Sequence, residues 1–152
     1  MEQRLDANAA APAAMKAVLG VEAYIRGCGL EPALIELVKM RASQINGCAF
    51  CLDMHSHDAR QRGETEQRLY VLDAWREVPF YSPRERAALA WTEALTRIAE
   101  THAPDEDYAE LRRNFSEREM VDLTTLIGLI NLWNRLAIGF RNQPPVRKAT
   151  AA

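Results

Sequence analysis

Residues 36–57, ELVKMRASQINGCAFCLDMHSH, decide how this chain is read, because they place two thiols, two imidazoles and a carboxylate on successive segments of helical pattern. Cys48 and Cys51 form a C-x-x-C pair, His55 lies four residues beyond the second cysteine, and Glu36 lies twelve before the first. With Asn46 capping a helix that starts near Gly47, a rotation of about 100° per residue brings Cys48, Cys51 and His55 into roughly a 60° arc of one face. The preceding segment, residues 32–45, predicts a second helix with Leu34, Leu37, Val38 and Ile45 as its apolar stripe, and Asn46-Gly47 reads as its stop. The two helices then form a tight antiparallel hairpin. Glu36 stands about ten residues before the corner and His55 about eight after it, so at about 1.5 Å per residue both sit roughly 12–15 Å from the turn.

Outward from the hairpin the pattern stays helical. Residues 1–14 are Ala-rich and read either as a frayed lead-in or as a short helix packed on a neighbour. Residues 15–26 predict a helix carrying Val18, Leu19, Ala23 and Ile25, stopped by Gly27-Cys28-Gly29, with Cys28 a small packed residue. After Arg62-Gly63, residues 64–75 predict one helix with Leu69, Tyr70, Leu72 and Trp75, interrupted by Pro79. Ser82-Pro83-Arg84-Glu85 is a capping box with proline in the first turn, and the helix it opens runs to about Thr101, where His102 favours the dipole and Pro104 ends the pattern. Residues 105–114 predict a short polar helix. Ser116 and Glu119 make a second capping box before residues 117–141, whose apolar side chains extend around more than one face and mark it as the core pillar, buried against several helices or at a subunit interface.

No segment shows convincing period-two alternation, no Gly-rich phosphate loop is present, and no repeat is visible. The expected fold is therefore all-α and single-domain: a lead-in over residues 1–14, a helical domain over 15–141 and an extended arm over 142–152. A thioredoxin-like reading of the C-x-x-C needs a βαβ context, which this pattern lacks.

Composition bounds the function. A chain of 152 residues is long enough to bury a core without disulfides. Lysine and arginine number 19 against 21 acidic residues, a formal charge of -2, which leaves no basic footprint for nucleic acid. The N-terminus lacks the pattern of a secretory signal, and the most apolar run, residues 123–133, is about half the length of a membrane helix. A cytoplasmic protein without a membrane span is the expectation. Three cysteines in such a chain do not build a disulfide framework, which leaves metal or redox chemistry for the close pair.

Two arguments nominate different sulfurs. Cys48, in the first helical turn, is next to unsatisfied N–H groups that favour its thiolate; Cys51 is the one four residues from His55, which a glutamate orients as a base. Either assignment leads to one reaction class: a thiolate attacks a peroxide oxygen, becomes a sulfenic acid and condenses with the second thiol, and a reductant reopens the disulfide.

The residues Glu36, Cys48, Cys51 and His55, at these spacings and in helical surroundings from about Pro32 to Arg141, resemble the alkylhydroperoxidase AhpD-like family of the carboxymuconolactone decarboxylase-like superfamily. The resemblance implies Cys51 as the peroxidatic thiol, Cys48 as the resolving thiol, and His55 with Glu36 as a proton relay. It also implies a homo-oligomer, trimer or hexamer, an organic hydroperoxide substrate, no bound cofactor, and an external dithiol reductant of the dihydrolipoamide type on a carrier protein. One departure stands out: members with the full relay can carry a histidine just before the second cysteine, where this chain has Phe50. Phe50 cannot move a proton, which points to weaker peroxidase activity or a more apolar substrate.

Four other readings compete. In the plainest, the cysteines only pack and Glu36 is solvated. In the second, Cys48, Cys51, His55 and His57 bind zinc, but His57 points about 200° away from His55 on a helix, so the four cannot converge. A decarboxylase would not need paired thiols. A redox sensor or dithiol-exchange protein shares the chemistry, and only turnover separates it from a peroxidase. Phe50, Met54, Met40 and Trp133 read as ordinary core rather than as the wall of a substrate pocket.

Overall fold

Ten consecutive residues of one helix, Leu34 to Ser43, are buried, which makes that helix the axis of the molecule. The computed structural model describes residues 1–146, and among them only helices and turns occur: α1 (Ala7–Ala10), α2 (Pro12–Gly27), α3 (Pro32–Asn46), α4 (Ala49–Gln61), α5 (Glu66–Tyr70), a 3₁₀ segment (Leu72–Glu77), α6 (Pro83–Thr96), α7 (Ile98–Thr101), α8 (Asp105–Asn114) and α9 (Glu117–Phe140). Helix α3 packs on α4, α6 and α9 at once.

Burial all round α3 corrects the expected single stripe. The sequence pattern shows a stripe because the other faces carry Glu36, Lys39, Arg41 and Ser43, and the fold buries these too by giving each a partner. Lys39 Nζ meets Glu22 Oε1 at 2.5 Å, Arg41 Nε meets Glu93 Oε1 at 2.8 Å, and Ser43 Oγ accepts from Asn134 Nδ2 at 3.0 Å. Paired in this way, the buried polar groups avoid the cost of lost hydration. One apolar cluster joins Leu34 and Val38 to Ala88 and Trp91 of α6 and Leu123 and Leu126 of α9; a second joins Leu37 and Met40 to Leu72, Trp75 and Leu89.

Both capping boxes form as the pattern predicts: Ser82 with Glu85 opens α6, and Ser116 with Glu119 opens α9. Arg84, one residue into α6, ties these starts together, reaching Glu31 Oε1 at 2.8 Å and Glu119 Oε1 at 2.7 Å. Helix α9 is long and apolar enough by length and composition to cross a membrane, yet Leu123, Leu126, Ile127 and Ile130 are spent on the core. Helix α9 packs on α2, α3, α4, α6 and α8, as expected of the core pillar, while Val121, Leu132 and Ile138 remain exposed.

Other boundaries shift. Helix α2 begins at Pro12 rather than near Met15, and Asp6 caps α1 through the N–H groups of Asn8 and Ala9. The lead-in is pinned to the end of α9, with Arg4 N donating to Phe140 O at 2.9 Å. The helix expected over residues 64–75 splits into α5 and the 3₁₀ segment, because Trp75 Nε1 turns to Glu93 Oε1 at 2.9 Å and Asp73 pairs with buried Arg41. The α6 run breaks at Arg97, and His102 takes a left-handed conformation after α7. Of the expected C-terminal arm, residues 142–146 are non-helical and residues 147–152 lie outside the described residues.

Candidate functional site

The corner between α3 and α4 sets the site. Gly47 closes α3 at φ 68°, a left-handed conformation suited to glycine, and its N–H returns to the carbonyls of Ser43 and Gln44. Asn46 stays within α3 and does not cap α4. Its amide donates instead to Asn131 Oδ1 at 3.0 Å and Asn134 Oδ1 at 2.8 Å on α9. The cap of α4 is Cys48 itself, whose sulfur accepts from Cys51 N at 3.4 Å.

That cap places the thiols together. The Cys48 and Cys51 sulfurs lie 2.6 Å apart, and the residues are 1% and 2% exposed. The Cys51 thiol beside it holds Cys48 down at about 7, helped by the backbone N–H groups of Cys51 and Phe50 and by the Asn134 amide, against the effect of burial. The same contact pushes the Cys51 thiol up, and burial adds to it, so the pair shares one proton.

The hairpin also delivers the expected long-range contact. His55 Nδ1 lies 2.9 Å from Glu36 Oε2, both side chains being buried, and the other carboxylate oxygen meets Arg62 Nε at 3.3 Å. A carboxylate on Nδ1 fixes the ring and leaves Nε2 as the working nitrogen. Cys51, His55 and Glu36 line one cavity of about 630 Å³, a volume that suits a small organic ligand. Cys48 is not among its lining residues. The wall includes Phe50, Met54 and Trp133, which corrects their reading as core, whereas Met40 is core.

Asp58 and Arg62 line the same cavity and were missed in the sequence reading, although they follow His55 at three and seven residues, the spacing of one helical face. Among the described residues, Glu36, His55 and Asp58 bring one potential metal ligand each within 4.8 Å of one another. His57 does not join the thiols; its half-exposed ring stands 3.6 Å from Asp58 Oδ1. Cys28 is partly buried at the end of α2, packed against the first apolar cluster.

Comparison with known proteins agrees with this architecture. The model of the carboxymuconolactone decarboxylase family matches residues 9–94. The uncharacterized protein YdfG of Bacillus subtilis is 46% identical over 143 residues, covering 94% of this chain and 97% of YdfG. The crystal structure of ATU0492 from Agrobacterium tumefaciens, a protein of unknown function linked in its description to the antioxidant-defence protein AhpD, superposes with a TM-score of 0.93 at 49% identity, covering 96% of this chain and all of that one. The debrominase Bmp8 shares the fold, with a TM-score of 0.74 at 23% identity over 85% of this chain and 69% of its own. The chain therefore belongs to the carboxymuconolactone decarboxylase family, in its AhpD-like branch.

Proposed function

We propose that this protein is a thiol-dependent peroxidase that reduces organic hydroperoxides by cycling Cys48 and Cys51 between dithiol and disulfide. One observation carries the reading: a buried Glu36–His55 pair, 2.9 Å apart, opens on the same cavity as Cys51. A structural pair of thiols needs no oriented base beside it. The debrominase Bmp8 shares this fold, and a fold alone does not fix a chemistry, so the argument rests on the site rather than the scaffold.

Cys51 is the attacking sulfur because it lines the cavity. Its thiolate arises when the shared proton crosses the 2.6 Å to Cys48. Attack on the distal peroxide oxygen breaks the O–O bond, forms the Cys51 sulfenic acid and releases an alkoxide, which takes a proton from His55 as the alcohol. Glu36 holds the imidazolium that supplies it. The sulfur of the Cys48 thiol then displaces hydroxide from the sulfenic acid to form the disulfide, and the proton that Cys48 received leaves with that hydroxide as water. A dithiol of the dihydrolipoamide type, free or on a carrier protein, reopens the bond by two exchanges and is itself oxidised. The same reading includes no bound cofactor, a homo-oligomeric assembly and a cytoplasmic setting.

Steady-state consumption of cumene hydroperoxide with excess dithiol, run beside His55→Ala, tests it. Many turnovers that fall steeply in the variant support the enzyme. A single slow oxidation per chain, unchanged by His55→Ala, identifies a sensor or exchange protein instead.

A further inference from the structure

Helix α3 buries two cations, and the protein satisfies them to different degrees. Arg41 donates to Glu93, Gln44 and Asp73, and none of these four residues lines the cavity. Lys39, 4% exposed, does line it, and for its three N–H groups it has a single hydrogen-bond acceptor among the described residues, Glu22 Oε1 at 2.5 Å. We propose that Lys39 and Glu22, with the Trp133 indole, form a second polar subsite of the cavity, which holds the carboxylate of a substrate whose hydroperoxide lies at Cys51 and His55.

The placement follows from α3. Glu36 and Lys39 are three residues apart, so they share a face of the helix with their Cβ atoms about 5–6 Å apart. From that face Glu36 turns to His55 on α4 and Lys39 turns to Glu22 on α2, which gives one cavity a reacting end and a second charged end. Both oxygens of Glu22 are engaged: Oε1 by Lys39 and, at 3.5 Å, by Arg26 Nε, and Oε2 by Trp133 Nε1 at 3.3 Å. Burial opposes the charge of Glu22, yet the hydrogen bond and charge of Lys39 hold its carboxyl below the ordinary range, so it is ionised at neutral pH. The carboxylate is satisfied and the ammonium still has two hydrogens to give, which makes this end a donor site.

Charge sets the ligand. At this end one carboxylate stands beside two cations, Lys39 and Arg26, so an anion completes it. The cavity's other acids are engaged elsewhere: Glu36 and Asp58 lie together with His55, Glu36 also meets Arg62, and Asp6 caps α1. Met15, Ile35, Phe50 and Met54 belong to the same wall, so the body that joins the two polar groups is apolar. A buried ion pair adds little stability over apolar side chains of similar size, which leaves recognition as the contribution of this one. The ligand class is an organic hydroperoxide that carries a carboxylate a short chain or one ring away from the peroxide. This inference deepens the peroxidase reading above and rests on it for the reacting group, but the carboxylate subsite itself is measurable without turnover.

Calorimetric titration of the reduced, full-length chain with para-isopropylbenzoate and with the uncharged para-isopropylbenzyl alcohol, neither of which oxidises a thiol, tests the subsite. The wild-type chain is expected to bind the carboxylate at least about tenfold more tightly, since a hydrogen bond between charged groups is gained. In Lys39→Met/Glu22→Gln, which removes both charges of the pair together, that preference is expected to vanish while the alcohol binds as before. Removal of the Glu22 charge favours an anion, so the loss traces to Lys39. Equal affinities in the wild-type chain overturn the subsite whether or not the double variant folds. A preference that persists in the double variant overturns it in favour of Arg26 or Arg62, and an equal fall for both ligands, which marks a general loss of shape, overturns it too. A carboxylate preference that depends on Lys39 in a chain without peroxide turnover leaves the subsite standing and sinks the peroxidase reading, and turnover without the preference does the reverse.

Discussion

Replacing Glu36 with glutamine keeps the shape of the relay and removes its charge. The carboxylate is 4% exposed, with Oε2 2.9 Å from His55 Nδ1 and Oε1 3.3 Å from Arg62 Nε. When His55 is protonated it faces that charge directly. Coulomb attraction at this distance, with an effective dielectric constant of about 20, sets an upper bound of roughly 6 kcal/mol. A glutamine oxygen still accepts from Nδ1, so the loss is the difference between a charged and a neutral hydrogen bond plus part of the attraction, about 2–3 kcal/mol. That is a fall of roughly 30- to 160-fold in the oxidation rate. Arg62 is 45% exposed at its side chain and water receives it when its partner is gone, so the fold survives. Stopped-flow single-turnover oxidation of the reduced protein by cumene hydroperoxide reads the effect. An unchanged rate in a Glu36→Gln protein with an unaltered melting curve would refute the relay.

Three further outcomes follow from the same geometry. Cys48 has an ordinary value of 9.0 and is held at about 7 in the fold, so between these pH values the unfolded chain binds more protons and the stability of the reduced protein rises with pH. Cys51 is shifted upward, so above its ordinary value of 9.0 the folded chain keeps a proton that the unfolded one loses and stability falls. Melting temperatures of the reduced protein, minus those of the double serine variant, are expected to rise and then fall across this range, and a flat difference contradicts the shared proton. Lys39→Met leaves Glu22 buried without its 2.5 Å partner and is expected to cost about 3–5 kcal/mol, much of it recovered by adding Glu22→Gln, as urea titration measures. Gly47→Ala meets no atom within 4 Å of the added methyl, so its expected cost, about 1 kcal/mol or roughly 2–4 °C, is that of the left-handed backbone alone.

Local chemistry made much of this architecture legible. The Ser82 and Ser116 capping boxes announce α6 and α9 because both partners lie within four residues, and the Glu36–His55 contact follows from two helix lengths and one turn. What the sequence hid depends on distant partners. Asn46 is a good cap by residue type, yet α9 claims its amide through Asn131 and Asn134, and a cysteine sulfur, a weak acceptor, caps α4 instead. The break after Tyr70 depends on Arg41 and Glu93, far away in the chain, drawing on Asp73 and Trp75. Phe50, Met54 and Trp133 have the spacing of core residues, and only the arrangement of α2, α4 and α9 leaves a cavity beside them. Asp58 and Arg62 carried a readable signal in their spacing from His55.

The role given to Cys51 is tested most directly by intact mass. Reduced Cys48→Ser and Cys51→Ser proteins are each treated with one equivalent of cumene hydroperoxide, and the oxidised species are trapped with dimedone. The account predicts a single sulfenic acid adduct on Cys51 in Cys48→Ser and none in Cys51→Ser. An adduct on Cys48 in the Cys51→Ser protein, with none in its counterpart, would contradict the assignment and make Cys48 the attacking thiol.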